Sequence, residues 1–74
     1  MGVMRILDSS GDAKVVWDVH DDEALTRAAK IFDGLAAEGE IAYERNGPQT
    51  VASRVNAFNP DADEIIWVRP LQGG

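Results

Sequence analysis

A chain of 74 residues with no cysteine, 13 acidic against seven basic side chains and a formal charge of −6 has room for one small domain and none for a second. The missing thiols exclude a disulfide framework, a thiolate metal site, a redox pair and a cysteine nucleophile, so packing must hold the fold. An apolar share of 45%, with two Trp and two Phe, suffices for one core. The acidic balance, with its basic residues scattered along the sequence, argues against binding nucleic-acid phosphates or anionic membranes, and leaves a solvated surface or a basic patch on a protein partner.

Met4-Arg5-Ile6-Leu7 reads as a short first strand, and Asp8-Ser9-Ser10-Gly11-Asp12 as a cluster of turn formers before Ala13-Lys14-Val15-Val16-Trp17-Asp18, which completes a β-hairpin. Val15 and Trp17 share one face of the second strand and Val16 the other, so the core is expected on the Val15/Trp17 side. His20-Asp21-Asp22-Glu23 then supplies a helix start: Asp21 to cap free N–H groups, Asp22 and Glu23 to complement the positive end of the dipole. Leu25, Ala28, Ala29, Phe32, Leu35 and Ala36 follow at spacings of three and four, an apolar stripe roughly four to five turns long. Gly34 weakens this helix, and Gly39 is its expected left-handed stop.

Ile41-Ala42-Tyr43-Glu44-Arg45 is a third strand, Asn46-Gly47-Pro48-Gln49 a turn, and 51–58 a loosely alternating fourth strand. Asn59-Pro60-Asp61-Ala62-Asp63 breaks the chain before Glu64-Ile65-Ile66-Trp67-Val68-Arg69. This last strand is apolar on both faces, the pattern of a central position in a sheet, and Pro70 ends it. The expected fold class is α+β, a single domain over 1–74. A mixed sheet is covered by one amphipathic helix, in the order ββαβββ, and 70–74 form a flexible tail.

No residue set points to catalysis. His20 stands alone, and Ser9 and Ser10 lie in a hairpin turn rather than a nucleophile elbow. The acidic clusters at 18–23 and 61–64 lack the alternating ligands and central glycine of a calcium loop, and capping and turn formation account for both. No enzyme activity, cofactor or metal is therefore expected. Trp17 and Trp67 sit within apolar strands, where core filling is the first reading; if one sheet face is left open, they would instead contribute to an apolar surface for a protein partner. The longest apolar runs fall far short of the roughly 20 residues that span a bilayer, and the opening residues lack a signal-peptide core. The expected location is cytoplasmic, in a cell or a virus-infected host, or a virion.

The stretch Asp63-Glu64-Ile65-Ile66-Trp67-Val68-Arg69-Pro70-Leu71-Gln72-Gly73-Gly74, an acidic turn, an apolar strand and a Pro-x-x-Gly-Gly ending, resembles ubiquitin and more closely the small sulfur carriers of molybdopterin and thiamine biosynthesis. Those β-grasp families share the order of an opening hairpin, one helix and further strands, the last of them central. The carriers often show paired prolines before the tail, where this chain has Arg69-Pro70. The resemblance implies that a separate activating enzyme adenylates the Gly74 carboxylate, which a sulfur donor or enzyme cysteine converts to a thiocarboxylate or thioester. Gly73 and Gly74 would then be the conjugation site, presented by Pro70, Leu71 and Gln72, with no catalysis by the chain itself. The competing expectation is a protein that works without covalent chemistry: a phage decoration or minor structural protein, or a small acidic inhibitor, pairing with its partner through an open strand edge.

Overall fold

The computed structural model describes residues 1–8, 11–47 and 51–70. Among them the chain is a small α+β fold with one helix and a five-stranded mixed sheet. Its elements are β1 (Gly2–Asp8), β2 (Gly11–Trp17), α1 (Asp22–Ala37), β3 (Ile41–Arg45), β4 (Ser53–Val55) and β5 (Glu64–Val68). The strands lie in the order β2-β1-β5-β3-β4. Thus β5, the strand whose sequence is apolar on both faces, runs in the middle, parallel to β1 and antiparallel to β3.

The helix forms where its caps predict. The Asp21 carboxylate accepts from the backbone N–H groups of Glu23 and Ala24, satisfying two donors that would otherwise lack intrahelical partners. At the other end Gly39, at φ +90°, lets its own N–H reach Ala36 O and that of Glu40 reach Leu35 O, the paired closure that a left-handed residue permits. Between the caps Ala28 and Phe32 are buried, and Ala24, Leu25, Ile31 and Leu35 pack partly against the core. The apolar stripe is rotated slightly from the expected one: Ile31 joins it and Ala36 is exposed.

Alternation in the strands decides which residues meet the helix. Met4, Trp17, Ala42, Ile65 and Trp67 are buried beneath it, and Ile6, Val15 and Val55 line the same side. A chain of ring contacts crosses this layer. Trp17 meets Phe58 edge-on at 5.1 Å, Phe58 meets Phe32 at 5.9 Å, and Phe32 meets Trp67 edge-on at 4.7 Å. The Trp17 indole N–H donates to Pro60 O at 2.9 Å, whereas Trp67 Nε1 is buried without a partner among the described residues.

Strand boundaries differ from the sequence pattern at several points: β1 and β2 extend to Asp8 and from Gly11, within the stretch read as a turn. β1 begins earlier than Met4, because Gly2 packs directly against the Trp17 indole opposite it. β4 shrinks from the expected 51–58 to Ser53–Val55: after Val55 the chain bends, and Phe58 leaves the sheet to join the core rings. The loop beyond is fixed by its own polar groups. Asn59 Oδ1 accepts from Asp61 N, Asn59 O accepts from Ala62 N, and Asn59 Nδ2 donates to Glu44. The hairpin tip at Ser9 and Ser10, the turn segment 48–50 and the tail 71–74 lie outside the described residues.

A Cβ on Gly2 would fall 2.2 Å from Trp17 Cζ2 and 2.7 Å from Ala62 O, whereas Gly34 faces open space. Gly2→Ala should therefore cost about 1–3 kcal/mol through forced displacement of packed groups. Gly34→Ala should raise stability by up to about 1 kcal/mol, since alanine suits a helix interior. Urea unfolding followed by tryptophan fluorescence separates the two.

Candidate functional site: the open face of the sheet

The helix covers one face of the sheet, and the register fixes what the other presents. Strand partners directly opposite each other point the same way, so one row across the sheet reads Lys14, Arg5, Ile66, Tyr43, Arg54 from β2 to β4. The adjacent row reads Val16, Val3, Glu64, Arg45. Leu7, Val68 and Ile41 continue the same face on the other side, with Asp12 opposite Leu7 in the register. Leu7 and Val16 are 44% and 51% exposed, and Val3, Ile41, Ile66 and Val68 are half-buried, with no second layer above them among the described residues.

Charge is distributed as unevenly as apolar surface. Four of the chain's seven Lys and Arg residues, Arg5, Lys14, Arg45 and Arg54, occupy this face. Glu64 is its only carboxylate among the described side chains, and it is buried, with 8% exposure. Arg5 Nε donates to Glu64 Oε2 at 2.6 Å, and Arg45 Nη2 donates to Oε1 at 2.5 Å. One carboxylate thus pins two guanidinium groups from the strands flanking β5. Both arginine side chains remain nearly half exposed, at 48% and 43%. A charge-assisted pair that uses one nitrogen of each arginine leaves the remaining N–H donors directed outward in a fixed arrangement.

The hydrogen bond from Arg5 is the largest influence on Glu64 and lowers its pKa from the ordinary value; burial pushes the other way, and the charges of Arg45 and Arg5 with the Arg45 hydrogen bond leave the net shift downward. Glu64 is the buried charge that β5 carries because both neighbouring strands answer it, as a buried carboxylate requires.

The residues singled out from sequence fall elsewhere. Trp17 and Trp67 are 0% and 1% exposed, so the surface role considered for them is corrected. Both point to the helix side, where their area is needed to build a core in so short a chain. Pro70 is half-buried just beyond β5, beside Glu38, Gly39, Glu40 and Arg69 around a shallow hollow. Leu71, Gln72, Gly73 and Gly74 lie outside the described residues. Sequence reasoning passed over Arg5, Lys14, Arg45 and Arg54 and weighed Glu64 only as part of an acidic turn cluster; their signal is a charge recurring at off-core positions of successive strands. Only the register turns that recurrence into a cluster.

Among the described residues no helix is long and apolar enough to cross a membrane. Comparison with known proteins finds no matching family, no matching curated protein and no matching solved structure.

Because the folded-state pKa of Glu64 is depressed, its stabilisation is complete above the ordinary value of 4.5 and is lost as pH falls through the lower folded value. Glu64→Gln should cost about 1–2 kcal/mol at pH 7, the worth of charged hydrogen bonds discounted for half-exposed arginines. That deficit should narrow as the pH is lowered below 4.5. Urea midpoints of both proteins from pH 7 to pH 2.5 test this, and a gap of constant size would show that the pair contributes nothing through ionisation.

Proposed function

We propose that this chain is a ubiquitin-like β-grasp protein without catalysis of its own, which acts by being bound through the open face of its sheet. The observation that carries the reading is that face: apolar side chains from four strands stand uncovered beside a preset arginine pair. Exposed apolar surface of this kind, rimmed by polar groups, is the usual mark of a protein contact. The β-grasp assignment is supported by the strand order, with the last strand central and parallel to the first, and by a single helix over one side. Among the described residues no group of three His, Asp or Glu side chains is placed to hold a metal, and His20 is exposed beside a turn.

The carrier form of this reading requires a free Gly74 carboxylate that an activating enzyme adenylates and a sulfur donor converts to a thiocarboxylate. Replacing one oxygen by sulfur adds about 16 mass units, and removing Gly73 and Gly74 should abolish that gain while leaving the fold intact, since neither residue has a side chain to contribute to a core.

A photo-crosslinking side chain placed at Val16, on the open face, and in a second protein at Arg27, on the exposed side of α1, tests the binding reading in extracts of the source cell. Adducts specific to position 16 are expected. Equal labelling from both positions, or labelling from the helix alone, would remove the open face from the account.

A further inference from the structure

The open face has a chemistry of its own, set against that of the rest of the chain. The whole protein carries −6, yet the described side chains of this face carry four cations and one carboxylate already held by two of them. We infer that the occupant of this face is an acidic amphipathic segment of a partner protein, in which apolar residues alternate with Asp or Glu. This rests on the reading that the face is a binding surface, and names the class of partner it takes.

Three observations select that occupant. The first is charge complementarity. Lys14 and Arg54 stand at the two ends of the central row, with Ile66 and Tyr43 between them, and the Arg5–Glu64–Arg45 group lies alongside. A segment laid across the strands meets a cation at each end and apolar surface in the middle, so its carboxylates must flank its apolar residues. The second is size. Five strands spaced about 4.8 Å apart give a row roughly 19 Å wide, the length of five or six extended residues. With strands of three to seven residues rising about 3.3 Å per residue, the face covers roughly 19 by 20 Å, on the order of 400 Å², about half the ~800 Å² per partner of a standard interface between globular proteins, so it fits a segment better than a domain.

The third is what the other candidates would meet. A second copy docked face to face would set cations against cations, because the same patch serves both sides of a two-fold contact. A nucleic acid would bring phosphates to the cations, but its charge is far denser than that of a short segment in which carboxylates alternate with apolar residues, so the field of a chain carrying −6 opposes it more strongly. It would also find one aromatic side chain, Tyr43, among aliphatic ones, where single strands bind by stacking on several.

The arginine pair gives this surface a device beyond bulk charge. Glu64 holds Arg5 and Arg45 in place before any partner arrives, so a carboxylate of the segment meets N–H groups already oriented, and little side-chain freedom is lost on binding.

The test uses the intact 74-residue chain, labelled with nitrogen-15, and three probes of matched length: a peptide alternating Leu with Glu, the same peptide with Lys for Glu, and a single-stranded oligonucleotide. The acidic peptide is expected to shift amide signals of β1, β5 and β3 and leave α1 unchanged, with an affinity that falls at least tenfold between low salt and 0.5 M salt, where screening is strong. The double variant Lys14→Gln with Arg54→Gln removes the two end cations without setting a new carboxylate opposite Arg5, and so spares the Glu64 pair. It should lose the acidic peptide at least tenfold and keep the wild-type unfolding midpoint.

If the acidic and basic peptides bind the open face equally, the acidic class is wrong and the binding-surface reading stands. If neither peptide perturbs that face, both fall. Tighter binding of the oligonucleotide than of the acidic peptide would overturn the protein partner in favour of nucleic acid. Concentration-dependent sedimentation of the chain alone, abolished by the double variant, would assign the face to a second copy.

Discussion

The series of ring contacts from Trp17 through Phe58 and Phe32 to Trp67 is what the remaining structure depends on. Four large side chains from β2, the loop before β5, the helix and β5 itself meet in one line. They come from elements that no local hydrogen bond would otherwise bring together. A chain this short buries a smaller share of its surface than a larger domain does, so much of its hydrophobic gain must come from a few large groups, each aromatic pair adding about 0.5–1.5 kcal/mol beyond its area. The small residues around them follow from the same need. Gly2 brings its backbone close to both the Trp17 indole and the Ala62 carbonyl, and Ala28 and Ala42 lie buried in the layer where helix and sheet meet.

Placing both tryptophans and both phenylalanines on the helix side leaves the other side of the sheet to Tyr43, smaller aliphatic groups and charge. β5 shows the division within five residues: Ile65 and Trp67 enter the core, while Glu64, Ile66 and Val68 face away from it. Glu64 is tolerated in a central strand because Arg45 stands directly opposite it on β3, and Arg5 lies diagonally across on β1. The same pairing that offsets the cost of burying a carboxylate also orders two arginines at the surface. Stability and surface chemistry are thus joined at one residue.

Much of this was legible in the sequence, and the limits were physical. The helix was readable because its signals are local: an aspartate at the cap, acids in the first turn, apolar residues three and four apart, a glycine after the last turn. The two-sided apolar pattern of 65–68 likewise marked a central strand. β4 was overextended because 51–58 alternates well enough for a strand, and nothing in the run itself says that Phe58 is drawn away by rings distant in sequence. The tryptophans were correctly suspected of core duty on the same ground of apolar context. The open face was invisible for a different reason. Arg5, Lys14, Arg45 and Arg54 are spread over some fifty positions of the chain, and only strand register, a non-local property, makes them neighbours. Reading the cations as dispersed was true of the sequence, and for four of the seven it was untrue of the surface.

The parallel pairing of β1 with β5 joins Met4 to Ile65 and Ile6 to Trp67, the first strand to the last. During synthesis at about 5–20 residues per second, the opening hairpin leaves the ribosome seconds before its permanent neighbour exists. Through that interval the inner side of the hairpin, with Met4, Val15 and Trp17, has no sheet partner on the β5 edge and no finished core behind it. The fold therefore closes as one late event, after translation has delivered residues 64–68, and a stalled nascent chain lacking them would present a sticky, half-built hairpin to the quality-control machinery of the cell.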